Sequence, residues 1–154
     1  MTKKISRLAV STLAVAASLL NRGAAARRLL EEAAKRGVDI AIVCAGRGRG
    51  AAYGLEDTAA AGAIVEAVHA ADGAVALTDA SWAALHLWRF YRGDAMQTFR
   101  HSPKGRALGA LGFERDLRFA AQVDAYESVP VLYQERGILV LSTRERRRRT
   151  GTRA

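Results

Sequence analysis

Asp39-Ile-Ala-Ile-Val-Cys-Ala-Gly-Arg-Gly-Arg-Gly-Ala-Ala-Tyr-Gly-Leu-Glu-Asp-Thr-Ala-Ala-Ala-Gly-Ala-Ile-Val65 decides how the rest of the chain is read. Residues 38–45 are a short apolar run rich in β-branched side chains, the pattern of a buried strand. Gly46, Gly48, Gly50 and Gly54 then release the backbone, and residues 59–68 are strong helix formers with Ile64, Val65 and Val68 on one face. In parallel α/β sheets, ligands bind beyond the carboxyl ends of the strands, where the next helix offers free N–H groups. Gly54-Leu-Glu-Asp57 puts two carboxylates, Glu56 and Asp57, at that end.

Upstream, residues 8–20 include a first strand, and Asn21 is placed to cap the helix after it by accepting from backbone N–H groups. That helix turns Ala26, Leu29, Leu30 and Ala33 inward and ends at Gly37. Strand, helix and strand in this order predict a right-handed crossover between parallel strands. The segment 1–20 has a second reading, because Lys3, Lys4 and Arg7 before an apolar run imitate a secretory signal. The run is too short to span a bilayer.

Downstream, Asp72-Gly73 is a turn and residues 74–77 suit a short strand. Thr78 or Asp79 caps a helix through Tyr91 whose inner face carries Trp82, Leu85, Trp88 and Phe90 or Tyr91, with His86 on its surface. Asp94 caps a further turn, and Ser102 with Pro103 is an N-cap followed by an N1 proline. Leu108, Leu111 and Phe113 read as core, residues 114–123 as a helix, and residues 129–142 as a hairpin with Pro130 at a strand start or edge.

The apolar half of the composition suffices for one core, so the chain is expected to form one domain over residues 1–142 with a basic tail over 143–154. The net charge of +9 is concentrated in that tail: six arginines against one glutamate give the segment from Arg144 onward +5 and leave the body +4. No aromatic residues interleave with the arginines, which favours a solvated tail over a nucleic-acid arm. Cys44 is the only cysteine, so intramolecular disulfides and Cys-x-x-Cys metal sites are excluded.

Three groupings bear on chemistry. Gly46-Arg47-Gly48-Arg49-Gly50 lacks both the P-loop and the G-x-G-x-x-G spacing, leaving a loop suited to a small anion or a plain surface loop. Glu56 and Asp57 either satisfy the positive end of a helix macrodipole or hold Mg²⁺ through direct contacts completed by water and phosphate. Ser102, Lys104 and Arg106 form a helix start with two cations, a candidate anion site. Asp116 and Asp124 are further acids, and His69, His86 and His101 lack the context of a triad.

Taken in order, Ser18-Leu-Leu-Asn21, Ile42-Val-Cys-Ala-Gly46, Leu55-Glu-Asp57 with Ala61-Gly-Ala-Ile64, Tyr91-Arg-Gly93, Gly105-Arg106, Gly112-Phe113 with Asp116, Ala121-Gln-Val-Asp124 and Val129-Pro-Val131 resemble the carboxyl-terminal portion of the 2-phosphosulfolactate phosphatase family. The resemblance implies a three-layer α/β/α fold with a mostly parallel or mixed sheet, incomplete relative to the family. It also implies a Mg²⁺-dependent cytoplasmic enzyme that hydrolyses (2R)-2-phospho-3-sulfolactate to 3-sulfolactate and phosphate on a route to coenzyme M. On this resemblance Asn21, Glu56 and Asp57 are the catalytic and metal-positioning residues, while Ser102, Lys104 and Arg106 bind the phosphorylated anionic substrate. Family members extend further at the N-terminus, through an Asp-x-x-Arg-Ala-type strand end and a glycine-rich stretch. Gly54 stands where serine is common and Lys104 where histidine is. The alternative expectation is a shortened, catalytically inactive domain that works by homo-oligomerisation or partner binding; neither membrane nor nucleic acid is expected as a partner.

Overall fold

The computed structural model describes residues 13–46, 52–135 and 138–142, with 133–135 and 138–142 described by backbone only. Residues 1–12 of the signal-like start, residues 47–50 of the arginine-bearing loop and the basic tail 143–154 lie outside these residues. The chain is a mixed α/β structure dominated by helices: β1 (Ala14–Val15), a 3-10 turn (Leu19–Asn21), α1 (Arg22–Arg36), α2 (Leu55–Ala71), α3 (Asp79–Tyr91), α4 (Met96–His101), α5 (Pro103–Ala110), α6 (Glu114–Ala120), β2 (Val131–Glu135) and β3 (Ile138–Ser142).

The fold is built around α2. A helix of alanine, glycine and aliphatic residues with few charges has no natural solvent face and must be covered on several sides. One side packs Ala63 against Leu19, Trp88 and Ala95. Another packs Ile64 and Val68 against Ala26, with Leu29, Leu30, Ile40 and Val75 around them. The crossing with α3 is backbone-close: a Cβ on Gly62 would lie 1.9 Å from the Ala84 carbonyl oxygen, so only glycine fits. α1 ends as expected at Gly37, a left-handed C-cap whose N–H reaches the Ala33 carbonyl, and α3 starts as expected at Thr78, whose side chain accepts from Ser81 N–H.

The sheet departs from the expected parallel arrangement. β1 pairs with β2 and β2 with β3, both antiparallel, with Ala14 opposite Leu132 and Val131 opposite Ser142. The terminal hairpin is therefore present, but its neighbour is Ala14–Val15 rather than residues 38–45. Those residues form no strand among the described residues, and Val43 is 79% and Val38 55% exposed, so the predicted buried strand is an irregular, largely exposed segment. Among the described residues, 74–77 likewise form no strand. A wide apolar trough of about 1020 Å³ separates these segments, lined by Leu30, Val38, Ile40, Ile42, Val65 and Leu77. The alternating pattern records a strand's side-chain demand but not which neighbour supplies its hydrogen bonds.

Three core expectations also fail. Trp82 is 41% exposed at the start of α3, where α2 is ending, and lies on the rings of His69 and His86 rather than inside. Leu111 and Phe113 are exposed because α5 turns its Gly105 face to α4, where a Cβ would meet the Phe99 carbonyl oxygen at 2.1 Å, and both residues fall in the turn after it. Leu108 is half-buried. Among the described residues no helix is long and apolar enough to cross a membrane.

Replacing Gly62 with alanine forces the α2–α3 backbones apart at the centre of the core. Urea denaturation is expected to show a loss of about 3 kcal/mol for Gly62→Ala, whereas Gly109→Ala, which meets nothing within 4 Å, leaves stability near wild type.

Candidate active site

The carboxylate pair occupies the first turn of α2, with Gly54 as N-cap and no capping side chain. Asp57 Oδ2 accepts from Gly46 N–H at 2.8 Å, tying the end of the 38–46 segment to the helix start. The Cys44 thiol lies 3.6 Å from the Asp57 carbonyl oxygen. Partial burial of that thiol, and then the Asp57 charge, raise its pKa above the ordinary 9.0, the opposite of what an activated nucleophile needs. Gly54 leaves the space that the Asp57 carboxylate occupies: a Cβ there would be 2.8 Å from Oδ2. A serine at this position would therefore require the carboxylate to move.

Glu56 and Asp57 are both half-buried. Adjacent helical residues point about 100° apart, so the two carboxylates present separate oxygens rather than one chelating fork. Among the described residues no group of three or more His, Cys, Asp or Glu side chains is arranged to hold a metal. The donor set that does exist is oxygen only. It fits Mg²⁺, which takes one or two carboxylates and completes its shell with water and phosphate oxygens.

Asn21 is buried and engaged on every side. Nδ2 donates to the Ala16 and Ser128 carbonyls, and Oδ1 accepts from Ser18 N–H. It caps the 3-10 turn in a reciprocal box with Ser18 and makes no side-chain cap to α1, contrary to the expectation from sequence. The α1 cap comes instead from Asp124, in the left-handed region at φ 52°, whose Oδ1 accepts from Gly23 N–H at 2.7 Å and whose Oδ2 accepts from Arg22 Nε at 3.0 Å. Sequence reasoning held Asp124 only as a remote acid, since an acid that caps a helix about 100 residues away in sequence leaves no local signature.

Ser102 caps α5 as expected, its fully buried Oγ accepting from Gly105 N–H. Arg106 folds back, its Nη1 donating to the His101 and Arg100 carbonyls at the end of α4. Lys104 is exposed. Among the described residues no hydrogen bond or ion pair joins these three to Glu56 or Asp57.

A second polar centre went unread in the sequence. Glu66, 18% exposed, accepts from Trp88 Nε1 at 2.8 Å and pairs with Arg22, Arg89 and Arg92 at 3.2–3.4 Å, joining α1, α2 and α3. Burial pushes the Glu66 pKa up, but the Trp88 and Arg89 hydrogen bonds and the Arg92 and Arg22 charges outweigh it, leaving the carboxyl below its ordinary 4.5.

The structure is thus a mixed α/β one with paired carboxylates in the first turn of its central helix. The family model for 2-phosphosulpholactate phosphatase matches residues 1–135. The chain is 35% identical over 133 residues to a probable 2-phosphosulfolactate phosphatase of Thermosynechococcus vestitus, covering 84% of the chain and 52% of that relative. A protein of the same name from Symbiobacterium thermophilum is 36% identical over 139 residues, covering 90% and 57%, and one from Microcystis aeruginosa is 33% identical over 140 residues, covering 90% and 56%. The chain belongs to the 2-phosphosulfolactate phosphatase family, and it spans about half the length of the curated relatives it matches.

Because the folded carboxyl of Glu66 titrates below its unfolded value, its ionised form stabilises the fold above the ordinary value and that contribution is lost as pH falls through the folded pKa. Thermal melts between pH 6 and pH 3 are expected to show a steeper acid loss for wild type than for Glu66→Gln; parallel curves would show that Glu66 contributes nothing.

Proposed function

We propose that this chain carries phosphatase chemistry on 2-phospho-3-sulfolactate, releasing 3-sulfolactate and inorganic phosphate in the cytoplasm on a route to coenzyme M. The observation that carries the reading is the Glu56-Asp57 pair at the positive end of α2, with Asp57 oriented by Gly46 N–H, in a chain of this family. Unpaired N–H groups at that helix end bind phosphate oxygens. Glu56 and Asp57 would hold Mg²⁺, which when bound neutralises phosphate charge and polarises the phosphoryl group. Positioning and charge stabilisation are most of what phosphoryl transfer asks of a protein. Water adds its oxygen to phosphorus as the bond to the substrate C2 oxygen breaks, and the departing oxygen takes a proton.

Within this reading Asn21 is a positioning residue, because its side chain is committed to the Ala16, Ser18 and Ser128 backbone. Lys104, exposed on α5, is the cation available to a substrate anion, while Ser102 and Arg106 shape that helix end. The exposed segment 38–46 is where we place the rest of a larger sheet, in the three-layer form that the family resemblance implies.

Phosphate release from 2-phospho-3-sulfolactate should require Mg²⁺ and stop with EDTA. Glu56→Gln and Asp57→Asn are each expected to lower it by about 10²-fold. Release that is absent from the wild-type chain, or equal in wild type and both variants, overturns the assignment.

A further inference from the structure

Beyond that reading, the centre around Glu66 has the composition of a ligand site. A cavity of about 340 Å³ is lined by Arg22, Glu66, Ala67, His69, Ala70 and Arg89. Three guanidinium groups, those of Arg22, Arg89 and Arg92, face two carboxylates, Glu66 and Asp124, so the cluster keeps a positive excess. Arg22 is engaged through Nε and Nη1 and held over the Trp88 ring, with the guanidinium carbon 5.5 Å from the ring centroid. Arg89 commits only Nε, at 3.4 Å, which leaves its paired Nη donors without a partner among the described residues. Such a fork matches two oxygens of a phosphate or sulfonate. His69 lines the same cavity, and its buried Nδ1 has no hydrogen-bond partner among the described residues, a costly state for a polar atom.

We propose that Arg89, Arg22 and His69 form a binding site for a small tetrahedral oxyanion, phosphate or sulfonate, distinct from the carboxylate pair. Glu66 lies ten residues along α2 from Glu56, about 15 Å at the rise of an α-helix. One three-carbon substrate cannot bridge that distance, so the anion held here is a second molecule. Its oxygens take the free Arg89 donors and the Arg22 guanidinium, beside the His69 ring that lines the cavity. Glu66 remains inside the cluster as the acceptor that keeps the arginines aligned, held in turn by Trp88 Nε1. Occupancy links α1, α2 and α3, the helices that meet at Glu66, and therefore stiffens the core that carries the carboxylate pair.

Thermal shift and isothermal titration test this on the purified chain, with inorganic phosphate and methanesulfonate as probes and sodium chloride at matched ionic strength as control. Binding is read directly, so its outcome is independent of whether the chain hydrolyses anything. Phosphate is expected to raise the melting temperature more than chloride does, and Arg89→Gln and His69→Gln each to weaken its binding about tenfold. Arg89 is 44% exposed, so its replacement leaves the fold intact. The methanesulfonate arm decides whether the site takes sulfonates as well as phosphate. A chloride effect equal to that of phosphate, or a phosphate effect kept in Arg89→Gln and lost in Glu56→Gln, overturns the proposal by assigning the anion to general screening or to the α2 N-terminus.

Discussion

The contact between Gly62 and the Ala84 carbonyl is the constraint on which the rest of the structure depends. With no side chain at that point, α2 and α3 approach at backbone distance, which brings the Trp88 indole close enough to α2 for its Nε1 to reach Glu66. The Glu66 carboxylate then gathers Arg22 from α1 and Arg89 from α3. A methyl group at position 62 would separate the helices and pull these donors from their acceptor together. The close backbone approach thus positions the Trp88 donor of the polar network.

The two ends of the described chain are joined by a different device. Asn21 holds the Ala16 and Ser128 carbonyls, Asp124 holds Gly23 N–H and Arg22, and the Asp124 and Tyr126 N–H groups donate to the Leu19 and Leu20 carbonyls. Both side chains lie in stretches that carry the family resemblance, Ser18 to Asn21 and Ala121 to Asp124. Their geometry explains why these residue types stand there. An amide satisfies two carbonyls and one N–H at once, and a carboxylate in the left-handed region serves as a helix cap supplied from a distant part of the chain.

Local chemistry was the legible part of the sequence. Gly37, Thr78, Ser102 with Pro103, and the hairpin after Pro130 carry their signals within three or four residues, and each stands where the pattern put it. What the pattern did not carry was partnership across the fold. Residues 38–45 have a strand's composition, but a ladder needs a second backbone and none of the described residues supplies it. Trp82 shares a helix with the buried Trp88, but α2 ends beside it and leaves its ring at the surface. Glu66 sits in a helix read for its apolar face, and its arginine partners are 23 to 44 residues away. The Glu56-Asp57 pair was visible because both acids belong to one helix turn, while the Gly46 N–H that orients Asp57 could only be seen in three dimensions.

That last bond ties the candidate site to the exposed segment. Gly46 closes the segment 38–46, which is mostly exposed and partly lines the apolar trough, and its N–H donates to the Asp57 carboxylate. Between its end bonds at Val38 and Gly46 the segment rests on its side chains, and here Ile40 packs on the Ile64–Val68 cluster while Val43 has almost no cover. The orientation of one of the two acids is thus tied to a segment that is mostly exposed. Added strand pairing along 38–46 would lower the freedom of Gly46 and, through it, of Asp57, without touching either carboxylate. The physical requirement for a well-ordered acid pair in this chain is therefore met as much at the 38–46 segment as at the helix start, and Gly54, which leaves room for the carboxylate and supplies no side-chain cap of its own, makes that dependence stronger.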